Sequence, residues 1–240
     1  MGQLTENVKH LIILNVILFL ATMTGISDKL FEQLALYSFD SPLFKPWQLV
    51  SHMFMHGGVS HILFNMFALY MFGSALEQVW GGKRFLIFYF ATGIGGAILY
   101  LAIKHFQLMA GLDGLPAETI ELLKTQGAEA ILQSKNFTDP QLANLNGLMN
   151  GAMVGASGAI SGLLMAFAFI FPNHELMLMF LPVPIKAKYF VPLIIAYELY
   201  AGSTNIAGDN VAHYAHISGM VIGFIIMKVW GGQFKHQRWN

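Results

Sequence analysis

The sequence predicts an all-α membrane protein built from six transmembrane helices, and three observations carry that prediction. Of the 240 residues, 55% are hydrophobic and only 11% are charged, against roughly 45–50% and about 25% in soluble domains. Too little polar surface remains to cover a soluble globule. Apolar runs approaching the roughly 20 residues needed to cross a bilayer core of about 30 Å recur six times. The polar residues inside those runs gather at three places instead of being scattered.

The spans are predicted at 8–25, 62–78, 85–104, 152–171, 189–201 and 211–230. The first run is retained as a span: NVKH is a thin positive region, and TMTGISDKL offers no small-x-small cleavage site. The fifth is short and carries Glu198 at its far end, so its boundary is the least defined. Placing the N-terminus in the cytoplasm gathers Lys9, Lys83, Arg84, Lys186, Lys188, Lys228, Lys235 and Arg238 on that side. Six crossings then return the C-terminus to it, and a bacterial cytoplasmic membrane fits. Zero formal net charge and the lack of a basic cluster give no support to a nucleic-acid partner. The absence of cysteine excludes disulfides, thiolate metal sites and a cysteine nucleophile.

Two external segments are more than connectors. Residues 26–60 include SDKLFEQLALYSF, where Leu30, Leu34 and Tyr37 recur at helical spacing and predict an amphipathic helix along the membrane surface. Residues 105–151 form an external insertion within a single domain of residues 1–240. They contain PAETIELLKTQGAEAILQS, a helix with Pro116 near its start, acids in its first turn and Gly127 interrupting it. No internal repeat is visible, which counts against an inverted-repeat transporter.

An ionisable group at the bilayer centre costs about 2.5–3.5 kcal/mol on insertion scales, so polar residues within spans are functional candidates by default. SHMFMHGGVSHILFN brings His52, His56, His61 and Asn65 to span 2; GASG opens span 4; NVAHYAHISGMVIG brings His213 and His216 to span 6. All three enter from the external side, at similar shallow depth. His61 and Asn65, four apart, share one helical face about 6 Å from each other along the axis. By itself such a pair reads equally as interhelical hydrogen bonding. Gly158 and Gly162 on span 4, with Ala215, Gly219 and Gly223 on span 6, form complementary small-residue faces. Close backbones would let a serine oxygen reach a histidine nitrogen at the 2.6–3.2 Å or so that proton transfer requires.

With these residues in view, the chain resembles the rhomboid family of intramembrane serine proteases. The likeness rests on PWQLVSHMFMHGGVSHILFNMFALYMFG, GASGAISG and AHISGMVIG and covers all six spans. It implies a six-helix bundle with a water-filled cavity open to the external face, and a serine–histidine dyad without a buried carboxylate. Ser157 matches the nucleophile, and His216 the general base, standing in the Ala-His-x-x-Gly-x-x-x-Gly frame that His213 lacks. His61 and Asn65 match the oxyanion-stabilising side chains, joined by the backbone N–H of Ser157, with Gly155 leaving the backbone open to the oxyanion. No cofactor is implied. The partners implied are transmembrane protein substrates within the lipid bilayer, cut at small or helix-breaking residues, by an enzyme that works as a monomer. Tyr197 and Tyr200 on span 5 are candidates for a lateral gate, and the loop AGSTNIAGDN for a lid.

One position departs from the family pattern: Ser161 stands four residues after the nucleophile, where an aromatic ring commonly stacks on the catalytic imidazole. Tyr214, Phe167 or the Ser161 hydroxyl are candidates to hold His216 in its place. Two other functions compete. Five histidines near the outer ends of spans 2 and 6 could bind a transition metal, although HEL at 174–176 lacks the second histidine of a zinc-protease motif. A non-catalytic relative could bind membrane helices without cutting them, but such a protein would be expected to have lost the serine or the histidine.

Overall fold

The structure is a computed structural model that describes residues 3–24, 27–178, 181–204 and 212–230. The chain is an all-α membrane protein whose only sheet among the described residues is a two-stranded hairpin. It divides into two compact units: residues 1–13, 63–97 and 156–240 form the first, and residues 14–62 and 98–155 the second.

The helices follow the apolar runs, with informative differences at their ends. They are α1 (Glu6–Thr22), α2 (Ser27–Leu34), α3 (Gln48–Ser51), α4 (Val59–Ala68), α5 (Ser74–Trp80), α6 (Gly82–Leu112), α7 (Ala117–Leu132), α8 (Pro140–Asn150), α9 (Ser157–Ile170), α10 (Ala187–Ser203) and α11 (His213–Trp230). A π-helical segment, Leu69–Gly73, joins α4 to α5, so that Val59–Trp80 runs as one 22-residue helix. That helix and the 31-residue α6 are long and apolar enough to cross a membrane, and α9 is a shorter apolar helix. Helix α6 continues well past residue 104, the predicted end of span 3. Helix α9 starts five residues later than span 4 was expected to, because Gly155 has φ +118°, a conformation L side chains rarely adopt.

In the first unit, the buried residues Leu164 and Phe167 of α9, Val191 of α10 and Met220 of α11 pack into one core. The hairpin adds Leu176 to it: β1 (Glu175–Leu178) and β2 (Leu181–Lys186) pair antiparallel, with Glu175 opposite Lys186. This hairpin was not expected from the sequence. The start of α1 is capped from a distance, since the Glu77 carboxylate accepts from Thr5 Oγ1, from Asn7 Nδ2 at 2.6 Å and from the Val8 N–H at 3.1 Å. A carboxylate there satisfies first-turn donors and opposes the positive end of the helix dipole.

In the second unit, the external segments fold on hydrogen bonds as much as on apolar contact. Helix α2 stops at Leu34, so Tyr37 lies beyond the amphipathic helix. Leu36 instead forms an antiparallel bridge with Met153, through bonds of 2.9 and 2.7 Å. Gly127 does not interrupt α7: the helix runs through it, and a Cβ there would stand 2.3 Å from Asn146 Oδ1, so a larger residue would have to displace that side chain of α8. Asp139 caps α8, accepting from the Leu142 N–H at 2.9 Å, with Pro140 in the first turn. Leu108, Leu123, Leu145 and Met149 form the apolar core between α6, α7 and α8.

Candidate active site

The site is built where α9, α10 and α11 of the first unit meet. Small residues set the spacing between α9 and α11. A Cβ on Gly219 would lie 2.0 Å from the Gly158 carbonyl oxygen, and one on Gly223 would lie 2.9 Å from that of Gly162. Neither backbone could yield, so these glycines fix the approach. Gly158 is different: a Cβ there would meet only Ala215 O at 3.7 Å, an ordinary contact. The expected complementary faces therefore exist, but the strict requirement falls on the α11 side.

At that contact His216 Nε2 lies 2.9 Å from Ser157 Oγ. The distance is within range for proton transfer, and both residues are partly exposed. Ser157 is the first residue of α9, and Ala156 before it supplies no side-chain cap. Ala156 thus offers no acceptor to the first-turn N–H groups of α9, and the positive end of the helix dipole sits at the serine. Just upstream, in the second unit, the Gly155 N–H donates to His52 O at 2.9 Å.

The other nitrogen of His216 has a partner the sequence reading did not assign. Nδ1 lies 3.0 Å from Glu198 Oε1, while the second carboxylate oxygen lies 2.6 Å from His213 Nδ1. Glu198 is buried on α10, and both histidines are on α11. The expectation of a site without a buried carboxylate thus does not match this geometry. The signal the sequence carries is an ionisable residue inside a predicted span, with two histidines three apart at the start of the next. Of the aromatic candidates, Phe167 turns its ring to Phe72, Phe171 and His174, and Tyr214 packs beside Gly202. Ser161 is buried.

His61 and Asn65 stand one turn apart on α4. Asn65 is 6% exposed, and its Nδ2 has no hydrogen-bond partner among the described residues. His61, assigned to the second unit, accepts from the Gly57 N–H at 3.4 Å and packs edge-on against the His56 ring at 5.0 Å. His52 Nδ1 is engaged by Gln48 O at 2.8 Å. Burial lowers the pKa of both His52 and His56 to about 4, which keeps these rings neutral at pH 7. No group of three or more histidine, aspartate or glutamate side chains is placed to hold a metal ion among the described residues. Tyr197 and Tyr200 are exposed on α10. Of the expected lid, residues 201–203 are the last turn of α10, while 205–210 lie outside the described residues, as do Lys235 and Arg238.

No curated protein matches the chain. Among protein families, the rhomboid domain matches residues 43–117 and 130–232, well over half of the chain, and leaves only residues 118–129, inside α7, between the two matched stretches. The chain therefore belongs to the rhomboid family and is a multi-pass membrane protein.

Proposed function

We propose that this protein is an intramembrane serine endopeptidase that cuts transmembrane segments of other proteins. The observation that carries the reading is the 2.9 Å contact between Ser157 Oγ and His216 Nε2 at the uncapped start of α9. In the first step Ser157 Oγ bonds to the scissile carbonyl carbon, its proton passes to His216 Nε2, and the carbonyl π pair moves onto oxygen. The oxyanion so formed is held by the Ser157 N–H and by the Asn65 amide. Asn65 suits this role because its buried amide donor is otherwise unspent. When the intermediate collapses, the C–N bond breaks and His216 delivers its proton to the leaving amine. Water then hydrolyses the acyl-serine, with His216 again taking the proton.

The chain acts as a single domain of six crossings, with both termini cytoplasmic and residues 105–151 external, and needs no partner copy. Substrates enter past α10, whose exposed Tyr197 and Tyr200 line the gate, and they unwind at small or helix-breaking residues. Cross-linking α10 to the outer part of the helix Val59–Trp80 should abolish cleavage of a full transmembrane substrate, and unimpaired cleavage would remove the gate from the account.

The direct test offers the detergent-purified protein a labelled transmembrane substrate. The parent cuts it, whereas Ser157→Ala and His216→Ala reduce cleavage to background. Cleavage by Ser157→Ala at the parental rate overturns the proposal.

A further inference from the structure

We propose that Glu198 is a positioning residue for the general base: its Oε1 accepts the Nδ1 proton of His216 and so keeps Nε2 free to take the proton of Ser157. The inference rests on the protease reading above and deepens it. In the neutral imidazole one nitrogen donates and the other accepts, so the partner of Nδ1 decides what Nε2 can do. Ser157 Oγ stands at Nε2 and Glu198 Oε1 at Nδ1, at 2.9 and 3.0 Å. An ionised carboxylate can only accept, so Nδ1 carries the proton and Nε2 carries the lone pair. Ser157, His216 and Glu198 then form a nucleophile, a base and an orienter in hydrogen-bonded series, three roles on three helices.

A purely structural role for Glu198, tying α10 to α11, explains less of the geometry. His213 already supplies that tie at 2.6 Å through the other carboxylate oxygen. The contact to His216, one turn along the same helix, adds little to the attachment but fixes the tautomer and ring orientation of the base. His213 has a supporting part, since it holds the carboxylate plane by its second oxygen. Two donors also make the burial of the charge tolerable, since a buried carboxylate without partners is costly. The arrangement further accounts for Ser161. No ring is needed at that position to steady an imidazole that a carboxylate already holds.

The consequence reaches α10 as a whole. This helix exposes Tyr197 and Tyr200 and, on another face, carries the group that prepares His216. A substrate that displaced α10 too far would remove the orienter, so the base is competent only while the outer end of α10 stays packed on α11.

Steady-state kinetics on a transmembrane peptide in detergent tests this, comparing the parent with Glu198→Gln and Glu198→Asp. Glu198→Gln is expected to lower kcat by about 10²-fold or more, because an amide can present its NH₂ to Nδ1 and favour the wrong tautomer, with KM within about threefold of the parent. Glu198→Asp keeps the charge and is expected to recover at least about a tenth of parental kcat. A kcat for Glu198→Gln within threefold of the parent overturns the proposal. Should the variants not fold, the parent still decides. ¹⁵N-histidine NMR, with His216 assigned by its loss in His216→Ala, should show a downfield Nδ1–H on that ring, and an Nε2–H tautomer contradicts the assignment. If the parent shows no Ser157-dependent cleavage the protease reading fails, while the tautomer readout still judges the Glu198 contact separately.

Discussion

Two polar clusters, one in each unit, are built from similar side chains and differ in what they leave unspent. In the second unit Asn150 donates to Leu123 O at 2.9 Å and Asn146 Oδ1 at 2.8 Å, and it accepts from Ser41 Oγ at 2.8 Å. Asn146 donates onward to Asn136 Oδ1 at 2.9 Å. Each group is consumed by another, and the network locks α7, α8 and the segment around Ser41 together. In the first unit, Asn65 is also buried, yet its amide donor meets no partner among the described residues. Ser157, meanwhile, shares its hydroxyl with a histidine at the partly exposed start of a helix. A buried donor without a partner is expensive. A donor left unmatched suits a transient acceptor such as the proposed oxyanion, whereas a closed network serves structure.

The comparison can be broken by exchanging the lesion. Asn65→Ala should cut turnover by about 10²–10³-fold with little change in apparent Tm, since the lost donor supports only the oxyanion. Asn150→Ala should do the reverse, lowering apparent Tm at roughly 1–3 kcal/mol for each partner left unmatched while the rate per titrated active site stays near that of the parent. Opposite outcomes in the two proteins would dissolve the distinction. The close approach of α9 and α11 gives the next largest effect. Gly219→Ala forces a methyl to within 2.0 Å of Gly158 O, and the displacement of His216 from Ser157 should cost about 10²-fold in kcat/KM. Gly158→Ala, meeting only an ordinary 3.7 Å contact, should melt within a few degrees of the parent.

The last effect depends on pH and comes from the buried histidines. His52 and His56 have folded-state pKa values lowered from 6.5 to about 4. The unfolded chain therefore binds their protons first, and stability is lost as pH falls through the window from 6.5 to about 4. The loss is at most roughly 3 kcal/mol for each ring. Apparent Tm recorded across that window should decline, and His52→Gln should flatten the decline.

Much of this was legible in the sequence, for physical reasons. Membrane helices must be apolar along their length, so the runs located them. Small residues in a hydrocarbon setting signal helix contact, so Gly158, Gly162, Gly219 and Gly223 placed α9 against α11 and brought Ser157 to His216. The ends were harder to read. A helix start depends on one backbone angle, here at Gly155, which composition does not encode. Gly127 looked like a break because glycine serves both turns and close packing, and only the position of Asn146 decides between them. The hairpin at 175–186 was hidden by the prolines in LPVPIK, which weaken a strand pattern. Glu198 was missed for a different reason: its partners lie on another helix, 15 and 18 residues away in the chain, and a carboxylate near the end of a short span reads as the point where the span stops.

The central claim, that Ser157 is a nucleophile prepared by His216, is tested most directly by labelling the folded protein with a fluorophosphonate probe and mapping the modified residue. The account predicts a single adduct on Ser157 Oγ, strongly reduced in His216→Ala. An adduct on another residue, or labelling of Ser157 undiminished without His216, contradicts it.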